Sequence, residues 1–395
     1  MAARADEYNR AAEEYFSRCD TPSFLLNKPF SEPAALPKHL IDVGVLVNAS
    51  RIAPGDTVLE FGAGSCWLSH MLNRYGCPTI SVDVSATAIE MGQQMFRGDP
   101  HTNWTLGPRF LAYDGHRLPI DDESCDCIVI KDAFHHVPNQ REVMHEMWRV
   151  LRADGVVAMS EPGRGHGHTH QSAREMRDWG VLENELTLEN LATLARESGF
   201  KDVRVVATSP LVHWEIDARD LAGFMGGKGF ASYWKTFCAA LEQHHYIVAL
   251  KGVDRTTTRR PRRLEAEITS SCSTVTVAAG RPIQLAIEIL NKGDTIWLGG
   301  DQPTGGWTRI GAHLYRLGRV RELVDFDWWR GHLPAEVPPG HRVMLTPAVP
   351  AIDVSGHYAM EFDLVIEGVE WFAGRGSNVL ALEVLVGEHD VSAGG

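Results

Sequence analysis

The chain is predicted to fold as an α/β domain on a mainly parallel sheet, followed by a second, all-β domain. Three observations carry this. Thr57-Val58-Leu59-Glu60-Phe61-Gly62-Ala63-Gly64-Ser65 is an apolar run that ends in an acid and a double-glycine turn. Apolar runs and helix-patterned stretches then alternate to about residue 252, as βαβ units require. From Glu265 onward the apolar period is two. At 395 residues the chain has room for both domains.

The elements follow in order. Residues 5–18 place Ala, Tyr and Phe at helical spacing among charges. A loop follows at 20–23, and a second helical stretch, 36–50, stops at Pro54-Gly55. The first strand ends at Glu60. Gly62 and Gly64 let the backbone turn sharply and let a ligand approach where a Cβ would collide. After a helical segment, Ile80-Ser81-Val82-Asp83-Val84 is a second strand, and its acid lies nineteen residues past Gly64. This is the opening of a nucleotide- or nucleoside-binding domain, with Asp83 placed to accept from a ribose diol. A dinucleotide fingerprint needs a third glycine, and Trp67 stands in its place. Glu60 repels phosphate and favours a cationic ligand.

Four further segments extend the pattern. Tyr113-Asp114-Gly115 precedes Leu118-Pro119. The run 126–137 ends in Lys131-Asp132-Ala133-Phe134-His135-His136-Val137. A helix-like stretch, 142–152, overlaps Arg149-Val150-Leu151-Arg152-Ala153-Asp154-Gly155, and that turn leads into a strand at 156–160. In this order the motifs resemble the class I S-adenosylmethionine (SAM)-dependent methyltransferases over about residues 40–252. Asp154 departs from the family's turn, which has glycine there. The resemblance implies a Rossmann-like seven-stranded sheet whose final strand, 246–250, runs antiparallel. It also implies a lid from residues 1–50, with Tyr8, Tyr15, Phe16 and Phe30 as lid candidates; the same aromatics would serve to staple two helices to the core. SAM is the cofactor implied. The resemblance assigns Glu60 to its methionine end, Asp83 to the ribose and Asp114 to the adenine amino group. Gly62, Ala63, Gly64, Val84, Gly115, Lys131 and Asp132 complete the expected cofactor site.

Methyl transfer to an alcohol asks for a neighbour that takes a proton, and histidine titrates in the useful range. The candidates are His135 and His136, after the fourth strand, and His166 with Glu161, after the fifth. His135-His136 also suits packing beneath the cofactor. His166-x-His168-x-His170 has the imidazoles for a metal, but its glycine flanks suit a substrate loop, and no metal is expected. Residues 187–198 read as a helix closed by Gly199, 203–207 as a strand, and 210–243 as an insertion ending in a helix.

Residues 253–264 are basic and carry a proline, which reads as a linker; docking to an anionic glycan or phosphate is the other reading. In 265–388, Ile283, Leu285, Ile287 and Ile289 alternate with polar or small residues. Tyr358, Met360, Phe362, Leu364 and Ile366 do the same. About seven antiparallel strands in a sandwich are expected. The pattern N-x-G-D-x-x-W, then E-F-D-L-V-x-E-G-V-x-W-F, resembles immunoglobulin-like modules appended to bacterial glycan-modifying enzymes. Trp328-Trp329-Arg330 suits either sugar stacking or a core. The sandwich also offers a surface for a homodimer or a partner.

The formal net charge of −13 argues against nonspecific nucleic-acid binding, which needs basic surface. No apolar run is long enough to span a membrane, and the polar N-terminus has no secretory core. Seven scattered cysteines form no disulfide framework, so buried thiols in a reducing cytoplasm are expected. The function expected is SAM-dependent methyl transfer, to a hydroxyl of a sugar or glycan intermediate. A small-molecule natural product or an amine is the alternative acceptor. A non-catalytic SAM-binding scaffold is the alternative from another class.

Overall fold

The structure, a computed structural model, describes residues 2–18, 22–252, 256–259, 261–300 and 306–388. The chain forms two compact units, Met1–Asp254 and Arg255–Gly395.

The first unit opens with three helices, α1 (Ala2–Ser17), α2 (Pro22–Leu26) and α3 (Leu36–Ser50). Then come β1 (Val58–Phe61), α4 (Trp67–Tyr75), β2 (Thr79–Asp83), α5 (Ala86–Gly98), β3 (Arg109–Ala112) and β4 (Cys125–Lys131). The alternation continues through α6 (Gln140–Val150), β5 (Leu151–Pro162), α7 (His170–Trp179), α8 (Leu188–Glu197) and β6 (Asp202–Val205). It ends with α9 (Leu221–Met225), α10 (Phe230–Gln243) and β7 (His244–Leu250).

The seven strands form one sheet in the order β3-β2-β1-β4-β5-β7-β6. β7 is antiparallel to both neighbours and the other pairs are parallel, as the family resemblance implies. The order reverses between β1 and β4, so connections leave in opposite directions and open a crevice at their carboxyl ends. β1, β2 and β7 are buried along their whole length. That burial on both faces explains why they read as continuous apolar runs.

One local expectation changes. The turn at 153–155 is a bulge inside β5 rather than a break before it. Between the pairs Cys125↔Leu151 and Cys127↔Val156, β4 advances two residues and β5 five. The extra residues loop outward while the edges rejoin in register. Cys125 and Cys127 are buried, and none of the described cysteines 66, 77, 125, 127, 238 and 272 is in a disulfide. No helix among the described residues is long and apolar enough to cross a membrane.

The second unit is all-β. Its strands are β8 (Ala266–Ser270), β9 (Thr274–Ala278), β10 (Ile283–Gln284), β11 (Ile287–Asn291), β12 (Thr308–Arg316) and β13 (Glu322–His332). They continue as β14 (Arg342–Leu345), β15 (Ala348–Val349), β16 (Gly356–Ile366), β17 (Glu370–Trp371) and β18 (Leu380–Gly387). A sheet β14-β11-β8 and a sheet β13-β12-β16-β18-β9 share one core, which holds Ile268, Ile287 and Ile289 with Ile310, Phe362 and Leu382.

Two departures from simple antiparallel pairing stand out. β18 and β9 are parallel. The alternation over 283–289 spans two strands, because β10 pairs with β15 and β11 with β8 and β14. The chain changes sheet there, as corners of sandwiches do. Trp328 and Trp329 are both partly buried against the core.

The segment expected as a linker is not a free tether. Thr258 N donates to Ile296 O at 3.0 Å, and Arg262 N donates to Thr295 Oγ1 at 3.1 Å. Thr258 is fully buried, and its hydroxyl accepts from Leu298 N at 3.0 Å. Three consecutive β-branched residues, Thr256–Thr258, favour extended backbone, and Thr257 forms an isolated parallel bridge with Ile296. Residues 253–255 and 260 of that expectation lie outside the described residues.

Candidate functional site

The crevice at the carboxyl ends of β1 and β4 holds a cavity of about 320 Å³. That is within the size range of small-ligand sites, roughly 300–1,000 Å³. Its floor is the turn after β1. Gly62 and Gly64 have φ of +68° and +50°, in the left-handed region. A Cβ on Gly62 would stand 2.4 Å from the Cβ of Ala133, so only glycine fits.

Two buried acids face this floor. Asp83 closes β2, where Oδ2 accepts from Gly64 N at 2.8 Å and Oδ1 from Ser85 N at 2.9 Å. Each oxygen keeps a further lone pair for a ligand. Burial raises the Asp83 carboxyl above its ordinary range. Glu60, the last residue but one of β1, accepts from Ser69 N at 2.8 Å. Burial, with the nearby Asp83 charge adding to it, pushes its carboxyl up to about 7.

The roof is α1. Tyr8, Asn9, Ala12, Tyr15 and Phe16 share its inner face and line the cavity. Helical periodicity puts positions four and seven apart on one side. Polar pins hold the helix down. Asn9 Nδ2 donates to Asp114 O at 2.9 Å, and Glu13 accepts from Ser85 Oγ at 2.7 Å and from Thr87. Phe30, expected with the lid aromatics, is 69% exposed and does not line the cavity.

The candidate bases separate sharply. His135 and His136 lie in a 3₁₀ turn, Phe134–His136, after β4. Only His136 lines the cavity. Its Nδ1 lies 2.6 Å from Leu182 O, so Nδ1 carries the proton and Nε2 the lone pair. The side chain is 41% exposed, because it faces the cavity, although it lies deep in the fold. Burial, and then the charge on His135, push its pKa down to about 4, so the ring is neutral at pH 7.

His135 points away, with Nδ1 2.7 Å from Glu161 Oε2. Burial lowers its pKa, but Glu161 and Glu183 outweigh that and the net shift is upward. Glu161 is fully buried and also accepts from Ala133 N at 3.0 Å and Phe134 N at 2.8 Å. It caps the 3₁₀ turn instead of facing an acceptor. His166 packs edge-on to His135 with ring centres 4.9 Å apart, also off the cavity. His168 and His170 are exposed, so the three histidines of that loop do not converge.

Residues 59–159 match the protein family described as "Methyltransferase domain". This segment is similar to that family. The demethylmenaquinone methyltransferase of Clavibacter sepedonicus is 29% identical over 118 residues, 29% of this chain and 46% of that protein. The arsenite methyltransferase of Halobacterium salinarum is 25% identical over 184 residues, 45% of this chain and 46% of that protein. The chain thus spans slightly under half the length of these curated relatives. Among solved structures, a chain of the complex between the Haloferax volcanii Trm112 methyltransferase activator and the putative methyltransferase covers 60% of this chain and 99% of itself. It is 16% identical, with a TM-score of 0.43.

The cofactor of the methyltransferase domain is SAM, and the cavity fits it. The Cβ-free turn gives room for close approach, Asp83 offers acceptors, and Glu60 offers a carboxylate for a cation. Gly62, Ala63, Gly64, Val84, Gly115, Lys131 and Asp132 all line the cavity, as expected. Asp114 does not. Its Oδ1 accepts from His116 N at 2.8 Å and Arg117 N at 2.9 Å, and this turn holds the carboxylate outward. Lys131 is spoken for within the protein: Nζ lies 3.1 Å from Asp42 Oδ2 and pairs with Asp132.

Sequence reasoning missed Asn9, Glu13, Lys28, His39, Leu182 and Glu183. Asn9 and Glu13 carried a signal, since they repeat at i, i+4 beside Tyr8 and Ala12 on the same helix. Leu182 and Glu183 carried none, because they lie outside any regular element.

The raised Glu60 pKa makes a testable demand. A cationic ligand binds the carboxylate, not the acid. Protonation therefore competes with binding below the pKa, and affinity rises with pH until Glu60 is ionised. S-adenosylhomocysteine affinity should increase roughly tenfold between pH 6 and pH 7.5, with protons released on binding. Calorimetry in buffers of different ionisation enthalpy measures both. Glu60→Gln should flatten the profile, and an equally steep profile in that variant would remove Glu60 from the ligand's charge.

Proposed function

We propose that this protein is a SAM-dependent methyltransferase acting on a hydroxyl of a sugar or glycan intermediate. The observation that carries the reaction type is the shared cavity, with the cofactor-type acids and glycines on its floor and His136 on its wall. SAM supplies a methyl carbon activated by its sulfonium. The chain's own residues do the rest. Asp83 accepts from a ribose diol and Glu60 balances a positive charge. α1 excludes water from above. His136 Nε2 takes the acceptor proton while Nδ1 stays anchored on Leu182.

The sugar acceptor rests on the second unit. Its two sheets over one core suit the immunoglobulin-like modules that its sequence resembles, and such modules accompany glycan-modifying enzymes. We read it as that module, offering a surface for a glycan, a second copy or a protein partner. A small-molecule or amine acceptor is the second reading, favoured by relatives whose names specify demethylmenaquinone and arsenite. A non-catalytic SAM-binding scaffold is the third. That the six described cysteines stand in no disulfide supports a cytoplasmic location.

The deciding experiment for the cofactor is calorimetry of the full chain with S-adenosylhomocysteine and with NAD at matched concentration. Trp67 occupies the third-glycine position and lines the cavity, which obstructs a pyrophosphate. Binding is expected for S-adenosylhomocysteine alone, and tighter binding of NAD would overturn the assignment. A panel of sugar and small-molecule acceptors then separates the three readings. No turnover on any of them, with sound cofactor binding, favours the scaffold.

A further inference from the structure

Behind His136, on the side away from the cavity, lies a carboxylate that the methyl-transfer reading does not use. Glu183 sits between α7 and α8 with its side chain 1% exposed. Among the described residues, neither of its oxygens has a partner in hydrogen-bond geometry. Yet three imidazoles crowd it. His166 Nε2 lies 2.8 Å from Oε2, His135 Nε2 lies 3.7 Å from Oε2, and His136 Nδ1 lies 3.5 Å from Oε1. A buried carboxylate is costly unless the imidazoles beside it carry charge or share an ion with it.

We propose that His135 Nε2, His166 Nε2 and Glu183 Oε2 form a binding site for one divalent first-row transition ion, of which zinc is the best match. The inference does not rest on methyl transfer. Geometry is the first argument. The three ligand atoms lie within 4.8 Å of one another. Two ligands each about 2.1 Å from a tetrahedral ion sit about 3.4 Å apart. The measured contacts of 2.8 and 3.7 Å bracket that spacing. Close approach without hydrogen-bond geometry is what ligands of a shared ion show.

The second argument is the shell behind the ligands. His135 Nδ1 donates to Glu161 Oε2 at 2.7 Å, which leaves Nε2 with its lone pair aimed at the cluster. A metal-bound histidine is held by a carboxylate in this way. His136 cannot join through Nδ1, whose proton is committed to Leu182 O, so it stays with the cavity. The third argument is donor type. Two imidazoles and one carboxylate suit zinc and its neighbours better than magnesium or calcium, and a fourth position is left for water. His166 is 27% exposed on its side chain and gives the ion a route in from solvent. The ion would tie together the turn after β4, the loop after β5 and the segment before α8.

The rival occupant is a proton, shared as a His135 imidazolium between Glu161 and Glu183. Untagged full-length protein, stripped with a chelator, should separate the two by calorimetric titration with zinc. One ion per chain is expected. Binding should weaken at least tenfold in Glu183→Gln and in His166→Ala, and about 10- to 100-fold in Glu161→Gln. The double change His168→Ala/His170→Ala should leave it unchanged. Cobalt(II) should give visible absorption that disappears in Glu183→Gln. Circular dichroism checks that each variant is folded, and half-exposed His166 keeps the test open should Glu183→Gln not fold. Absence of saturable zinc binding, or equal binding in wild type and His166→Ala, would overturn the site and leave the proton as occupant.

Discussion

His136→Ala should lower turnover by roughly 10²–10⁴ while leaving S-adenosylhomocysteine affinity nearly unchanged, the range that general-base catalysis contributes. The logic is differential. A group that acts only on the acceptor proton stabilises the transition state and not the resting cofactor complex. Four candidates were open on sequence, and three are excluded by position. His135, His166 and Glu161 do not line the cavity. Glu161 is already engaged by two backbone N–H groups and by His135. His136 faces the cavity with its Nδ1 proton held by Leu182, so Nε2 is the basic atom. Single-turnover rates on an identified acceptor, beside calorimetry on the same variant, measure the two halves separately. A large loss of cofactor affinity would mark His136 as packing. Equal turnover with wild type would show that the acceptor needs no base here.

Asp83→Ala should weaken S-adenosylhomocysteine binding about 10- to 150-fold, from loss of charge-assisted bonds to the ribose worth about 1.5–3 kcal/mol. The structure adds a second cost. The same carboxylate accepts from Gly64 N and Ser85 N, which fixes the glycine turn and the start of α5. Buried N–H groups left without an acceptor cost about 1–3 kcal/mol each. The variant should therefore also melt several degrees lower in the absence of any ligand. Asp83→Asn retains one acceptor oxygen and should fall between wild type and Ala on both scales. Calorimetry and thermal melting read the two effects. An Asp83→Ala protein that binds as tightly as wild type would remove the ribose contact from the site.

The same separation between local and long-range information runs through the whole molecule. The glycine turn, Glu60 and Asp83 were legible because they belong to one βαβ unit. There the contact of Asp83 with Gly64 follows from a short strand–helix–strand path. The seven-stranded sheet was legible because its central strands are buried on both faces and so read as apolar runs bounded by turns. The β-domain was legible through period two. Period two does not mark the break between β10 and β11, because the alternation carries on across the point where the chain changes sheet.

The order of elements, the cofactor turn and the set of candidate bases were determined by the sequence itself. Which candidate base faces the cavity was decided only by tertiary structure. His135 and His136 are neighbours with identical side chains, and one residue of rotation in a 3₁₀ turn sends one ring to Glu161 and the other to the cavity. Asp114 was turned outward by two backbone donors beside it, a choice between equivalent local hydrogen bonds that residue type leaves open. Glu183 came from a segment with no periodicity at all, and it met three histidines from two other loops. Periodicity reports which face of an element is buried, whereas convergence of loops depends on how the finished sheet places their ends.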